Sequence, residues 1–368
     1  MTLTVNHKSQ AGYSLLELLV GMGVMIVIVG ATMAIVNGSL KFSHSTFHVT
    51  DTEESLRTAH ELINRDLTSA GDGLKSIGTI TVPLAFASNW LTRTTVVDSG
   101  DPTHHQLGLI TSDDAIPLNT AVPSASPAAT FRESTDRISM LIQDKDFNNG
   151  NAVSLLPGKI TVVGTVTNLL VGSTNIGLFQ TGEIYAIISQ NSAAFGTITA
   201  VDPTTNTVLM ANGDPFGLNQ TGLTAPFTTV SGIVAGLSTQ NASIIRLQII
   251  QYYVTSAGML MRRVFGVKGG GFTETPVAEH VTNLQFRYMT NLSDANGFVQ
   301  QPIMVINTPL QQSAVREVET TVECETVRPV NTVTNANANN STNGKQTISI
   351  TTATSVRNLQ FGSNARNN

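Results

Sequence analysis

Leu15-Leu16-Glu17-Leu18-Leu19-Val20-Gly21-Met22-Gly23-Val24-Met25-Ile26-Val27-Ile28-Val29-Gly30-Ala31-Thr32-Met33-Ala34-Ile35-Val36 is the stretch that decides the fold. As an α-helix it spans roughly 33 Å, enough to cross a hydrocarbon core of about 30 Å. From Leu18 to Leu40 there are 23 residues without a charge. One carboxylate, Glu17, stands at the mouth of the run. A charge inside a membrane helix costs roughly 2.5–3.5 kcal/mol at the centre and less near the interface, so this acid asks for a partner. Before the run lies a short polar leader, Met1–Gly12, whose only formal charge is Lys8; Lys41 is the next charge after it. The positive-inside rule leaves the leader in the cytoplasm and sends the C-terminal bulk across.

Three readings of this segment compete. A secretory signal peptide has an apolar stretch of about 7–15 residues and a small-residue cleavage site at its far end. Val29-Gly30-Ala31 resembles such a site, but the run stays apolar beyond it. A plain anchor explains the length and leaves Glu17 without a purpose. The third reading is cleavage after Gly12, which creates an α-amino group on Tyr13, largely protonated at neutral pH with a reference pKa of about 7.7–8.0. That cation is four residues from Glu17, and pairing within one chain or between staggered chains turns a lone charge into a compensated one. Only this reading accounts for both the length and the acid.

The order Gly12, an aromatic, Ser14-Leu15-Leu16, Glu17 and then an apolar helix resembles the prepilin leader of type IV pilins and type II secretion pseudopilins. The resemblance implies a prepilin peptidase that cuts between Gly12 and Tyr13 and methylates the Tyr13 amine. It makes Glu17 the fifth-position glutamate used in filament assembly. The family usually begins its mature chain with Phe; Tyr13 keeps the ring and adds a hydroxyl. The motif covers about 25 residues of the chain.

The chain has 368 residues, 41% hydrophobic and 12% charged, with a net charge of −5. Nothing here points to nucleic acid, because Lys and Arg are neither abundant nor clustered. Cys324 is the only cysteine, so no intrachain disulfide forms and burial must hold the core together. It falls on the apolar face of an expected strand, as a small buried side chain.

Asn37-Gly38-Ser39 are poor helix formers, expected to loosen the helix just past the bilayer. The pattern then resumes with Leu56, Ala59, Ile63, Leu67 and Ala70 on one face. Glu53, Glu54, Arg57, Glu61, Asn64 and Arg65 lie opposite, and Ala70-Gly71-Asp72-Gly73 stops the helix by supplying left-handed backbone. A helix over 13–70, apolar all round at first and single-striped later, belongs half in lipid or a filament core and half against a folded domain. His44, His48 and His60 are read as a polar face that carries imidazoles, not as a metal site.

From residue 73 onward strand signals dominate. Arg316–Val327 alternates Val318, Thr320, Val322, Cys324 and Thr326 with Glu317, Glu319, Thr321, Glu323 and Glu325, a half-buried antiparallel strand with acids outward. Ser243–Thr255 and Met259–Lys268 form a hairpin through Ser256-Ala257-Gly258. Further strands are expected at Ile138–Gln143, Lys159–Val171, Glu183–Ser189, Gly196–Val201, Asn206–Ala211, Leu284–Tyr288 and Ile348–Thr354. Pro117–Ala129 reads as an irregular excursion and the asparagine-rich Asn331–Lys345 as a long loop.

Scattered segments add to the resemblance: Asn64-Arg65-Asp66-Leu67, Tyr252-Tyr253-Val254, Leu260-Met261-Arg262-Arg263, Val281–Tyr288 and Val356-Arg357-Asn358-Leu359 are similar to the PilW group of minor pilins. The GspJ group of pseudopilins shares the layout and stays open as an alternative.

Catalytic patterns are missing from the sequence: there is no nucleophile elbow, phosphate loop, metalloprotease helix or paired-cysteine motif, and no cofactor is implied. Asp144-Lys145-Asp146-Phe147-Asn148-Asn149-Gly150 opens like a calcium loop but has Leu155 at position twelve, and reads as a turn. His104 and His105, with Asp101, Asp113 and Asp114, read as solvated loop. Gly269-Gly270-Gly271 reads as a flexible turn.

The expectation is therefore an α+β protein that is not an enzyme: a leader over 1–12, a long helix over 13–72 with 13–40 crossing the membrane, and a β-rich domain over 73–368. The resemblance implies a minor pilin, processed by the peptidase and assembled with other pilins or pseudopilins into machinery for adhesion, motility or DNA uptake. Before assembly it would sit in the lipid of a bacterial inner membrane with its C-terminus in the periplasm. The different-class rival is a membrane-anchored extracytoplasmic binding module.

Overall fold

The computed structural model describes residues 14–74, 79–90, 104–163, 166–188, 193–219, 241–292, 302–329, 345–356 and 358. Its described residues fall into two compact units, one within Met1–Asp51 and Thr326–Gln346, the other within Thr52–Glu325 and Thr347–Asn368. The architecture is α+β: one long apolar N-terminal helix followed by antiparallel sheets.

Helix α1 runs over Leu15–Ser69 without a break. It does not loosen at Asn37-Gly38-Ser39. A glycine costs about 1 kcal/mol in a helix interior, and with no proline the ladder keeps its donors and propagates from both sides. In the first unit, sixteen large apolar side chains from Leu15 to Leu40 are 47–81% exposed. In the second, Leu56, Ala59, Ile63, Leu67 and Ala70 are each 0% exposed and join the main core. Each of Leu56, Ile63 and Leu67 stabilises that packing by about 1.5–3 kcal/mol. The helix stops where expected: Gly71 and Gly73 have φ of 75° and 72°. Gly71 N–H donates to the Leu141 carbonyl at 2.8 Å, tying the helix end to the sheet.

The strands follow in chain order. β1 (Thr79–Pro83) and β2 (His104–Gly108) flank α2 (Leu84–Trp90) and pair with each other; β3 is Ile110–Asp113 and β4 Arg137–Gln143. β5 (Val153–Leu155), β6 (Ile160–Val163), β7 (Val166–Leu170), β8 (Ile184–Ile188), β9 (Ala193–Thr197), β10 (Ala200–Asp202) and β11 (Thr207–Ala211) come next. β12 (Ala242–Val254), β13 (Leu260–Phe265), β14 (Phe272–Ala278), β15 (Val281–Thr290), α3 (Pro309–Ala314), β16 (Val315–Glu325) and β17 (Thr347–Ser355) complete the series.

β12 is the spine. It meets β8 and then β13 along one side, and β5 and then β4 along the other, in a sheet ordered β14-β13-β12-β4-β3. A second sheet, β15-β16-β17, closes the main core with Leu284, Phe286, Val318, Val322 and Cys324. The small sheet β10-β11-β7-β6 has a core of its own around Phe147, Leu169, Tyr185 and Val208.

Several expected boundaries change. Lys159–Val171 is two strands, β6 and β7, reversing so that Val163 pairs with Val166; Gly164 in the sequence is the turn signal. Gly196–Val201 is split between β9 and β10. His104 and His105 lie in β2, not in a loop. Gly269-Gly270-Gly271 is a packed turn, since a Cβ on Gly182 would sit 1.9 Å from the Gly270 nitrogen. Most of Asn331–Lys345 lies outside the described residues.

Candidate functional site

The site begins at the first turn of α1. Leu18 N–H donates to the Ser14 carbonyl at 3.2 Å, the first bond of the helical ladder. Leu16 N–H donates to Ser14 Oγ at 3.2 Å, and Ser14 N–H donates to Glu17 Oε2 at 3.2 Å. Ser14 is thus the N-cap and Glu17 the third helical residue that reaches back to it, a reciprocal arrangement. Glu17 has a partner within its own helix end, where the helix dipole adds about 0.3–1 kcal/mol for a negative charge. The Ser14-x-x-Glu17 spacing is the sequence signal of this cap. Gly12 and Tyr13 lie outside the described residues.

Behind this cap the helix carries no charge as far as Leu40. It is long and apolar enough to cross a membrane, and its most apolar 18 residues are 0% buried. Thr32 Oγ1 donates to the Ile28 carbonyl at 2.8 Å, so its hydroxyl stays satisfied without water.

The other end of α1 is fixed by charge. Asp66, 5% exposed, accepts from Tyr252 Oη at 2.7 Å and from Arg262 Nε at 2.6 Å. Tyr252 and Arg262 are register partners on β12 and β13, so one carboxylate locks the helix to two strands. Burial, then Asp66 beside it, pushes the Tyr252 hydroxyl above its ordinary range. Asn64 lies on the β17 side and not in solvent: its Oδ1 accepts from Thr354 Oγ1 at 2.6 Å. Asn358 Nδ2 donates to the Thr68 carbonyl at 3.2 Å. Three of the scattered segments, around Asp66, Tyr252 and Arg262, therefore meet at one node. Their neighbours turn to the opposite face, where Arg263, 0% exposed, is held by Glu274 at 2.6 Å and lies 4.1 Å from the Phe272 ring centre.

The histidines divide. His44 is exposed and His48 half-buried. His60 is not on a polar face: it is 4% exposed with Nδ1 2.9 Å from Thr352 Oγ1, and burial lowers its pKa. Among the described residues no group of three His, Cys, Asp or Glu side chains is placed to hold a metal. Asp144 accepts from Arg246 Nε at 2.8 Å and Gln248 Nε2 at 2.9 Å, and Asn148 and Asn149 turn the chain at φ of 47° and 55°. Cys324 is buried and its thiol is pushed up to about 12; burial disfavours the thiolate.

A cavity of about 280 Å³ opens beside β3 and β4, lined by Ser112, Asp113, Asp114, Ile116, Pro117, Thr120, Phe131, Arg137, Val305 and Asn307. Arg137 is paired with Asp113 and lies 5.0 Å from the Phe131 ring centre. Asp101 lies outside the described residues. Adjacent Asp136, 1% exposed, accepts from Ala115 N–H at 3.0 Å and Phe286 N–H at 2.8 Å, joining the two large sheets.

Burial, with Asp114 nearby, pushes Asp136 up to about 7 from 3.8, against the pull of the two N–H donors. A raised carboxyl pKa favours the folded state when protonated. Its contribution is present below about pH 4 and is lost as pH rises through about 7, at up to about 1.4 kcal/mol per pH unit. Urea midpoints at pH 5 and pH 8 should show this in the wild type, and Asp136→Asn should remove it from the difference. Equal pH slopes in the two proteins would contradict the assignment.

No protein-family model, curated protein or solved structure matches this chain.

Proposed function

We propose that this chain is a minor pilin-like assembly subunit, held in a membrane by the first half of α1 and then packed by the same surface against neighbouring helices. The observation that carries this is the uncovered apolar half of a continuous 55-residue helix. Sixteen large apolar side chains left in water forgo roughly 25–50 kcal/mol, at about 1.5–3 kcal/mol each, more than the 5–15 kcal/mol that holds an ordinary domain together. Such a surface needs hydrocarbon around it, whether lipid or other helices.

Cleavage after Gly12 fits the geometry of the cap. Glu17 already reaches back to Ser14 N–H, one peptide from where the Tyr13 amine would be created. Mass spectrometry of the mature chain tests the proposal: the N-terminal peptide should begin at N-methyl-Tyr13. A chain that retains Met1, or begins near Thr32, contradicts it.

The cavity with Arg137 at its wall supports a second reading, a tethered binding module whose helix is only an anchor. An unprocessed N-terminus would favour that reading.

A further inference from the structure

We propose that the cavity beside β3 and β4 is a site for one amino-sugar ring, a ligand that joins several hydroxyls to an ammonium group. Its volume of about 280 Å³ falls just under the roughly 300–1,000 Å³ of sites for drug-sized ligands, so it admits a single ring and not a nucleotide or a peptide segment. The site goes beyond the assembly reading and does not depend on it, since every lining residue belongs to the β domain.

Hydrogen bonds within the protein fix the walls. Asp113 and Arg137 are register partners on β3 and β4. Arg137, 2% exposed, donates from Nε to Asp113 Oδ2 at 2.8 Å and stands over the Phe131 ring. The next residues are tied down in turn. Ala115 N–H donates to Asp136 at 3.0 Å, Ile116 N–H to the Thr135 carbonyl at 2.9 Å, and Ser134 N–H to the Ile116 carbonyl at 3.0 Å. Asp114 is therefore held between two anchored neighbours, and ordering it for a ligand costs little.

The lining selects the occupant. Six of its ten residues are polar, which disfavours a hydrocarbon ligand, because a carboxylate covered by apolar surface loses its water without return. Asp113, Asp114, Ser112 and Thr120 bring acceptor oxygens, and Asn307 brings an acceptor and a donor, the mixture that suits hydroxyls. Ile116, Pro117 and Val305 form the apolar part, against which the C–H face of a ring can lie. Charge then decides between sugars. Two carboxylates and one guanidinium line the cavity, a surplus of one negative charge, and the guanidinium is committed to Asp113. An anionic sugar would meet the surplus as repulsion, while an ammonium group beside Asp114 would neutralise it. A bare metal ion is a poorer match, since calcium takes about six to eight oxygen ligands and one of the two carboxylates is already paired.

Isothermal titration calorimetry of the full chain in lipid nanodiscs tests the site, with empty nanodiscs as the blank, at about pH 6 so that the ligand amine is protonated. Glucosamine should bind saturably at roughly millimolar affinity, as a ring of about a dozen heavy atoms allows. Glucose, which lacks the ammonium, and cyclohexylamine, which lacks the hydroxyls, should each bind about fivefold more weakly or worse. Asp114→Asn, at an exposed position, should bring glucosamine down to the level of glucose. Asn307→Trp, which fills the cavity from another exposed position, should abolish binding of both. Melting temperatures check that both variants fold. The β-linked glucosamine trimer separates two sources of the ring: binding at least as tight as the monomer assigns it to a polymer, weaker binding to the free sugar, and either result upholds the site. No saturation by glucosamine up to about 100 mM overturns the proposal. So does glucose or cyclohexylamine binding as tightly as glucosamine, or a folded Asn307→Trp variant that binds like wild type. The assembly reading is untouched by these results, because it stands or falls on the mature N-terminus.

Discussion

Asp66→Ala should destabilise the β domain by about 3–5 kcal/mol, the cost of leaving one partner of a buried ion pair uncompensated. The Arg262 side chain is 20% exposed and the Tyr252 residue 0%, so water cannot replace the missing carboxylate well. Thermal unfolding of the full chain in detergent should fall by on the order of 5–15 °C. Asp66→Asn should lose less, because its amide oxygen still accepts from Tyr252. Asp66→Ala combined with Arg262→Met should recover much of the loss, since an apolar replacement of both partners removes the stranded charge. A single Asp66→Ala variant within about 0.5 kcal/mol of wild type, the behaviour of a surface site, would show that the node does not hold the helix to the sheet.

The second large effect concerns Glu17, whose carboxylate caps the helix and, under the proposed assembly, would also serve as a charge. As a cap it accepts a hydrogen bond from Ser14 N–H. As a charge, under the proposed assembly, it would meet the Tyr13 amine after cleavage, beside the apolar run of α1. Removing a cap costs about 0.5–2 kcal/mol and frays one turn. Breaking an ion pair in an apolar setting costs about 3–5 kcal/mol. Glu17→Gln separates them, because an amide oxygen can still cap and carries no charge.

Much of the fold was legible in the sequence because its signals are local. The striped half of α1, the glycine stop, the β12–β13 hairpin and the alternation of β16 each follow from spacing alone. What escaped was of two kinds. Two helix caps are written in plain spacing, Ser14-x-x-Glu17 and Thr308-x-x-Gln311, and neither was read as one; the second starts α3, with Pro309 at its first position. The tertiary partners were not written locally at all. Asn64 and His60 sit beside charged residues, so the sequence assigned them to solvent. They face β17, some 290 residues away, and only the sheet order shows it. Asp66, Tyr252 and Arg262 were visible as separate cues, and their meeting depends on the register of two strands. Phe272–Ala278 was missed because Glu274 and Pro276 break the apolar alternation of an edge strand.

The most direct measurement is the amount of Glu17→Gln protein recovered in filaments sheared from the cell surface, relative to the amount left in the membrane. With the cap intact and the charge gone, the membrane fraction should match wild type while the filament fraction falls roughly tenfold or more, as the lost ion pair requires. Glu17→Gln filaments formed at wild-type yield would mean that the carboxylate only caps the helix, and that no matched charge drives this chain into an assembly.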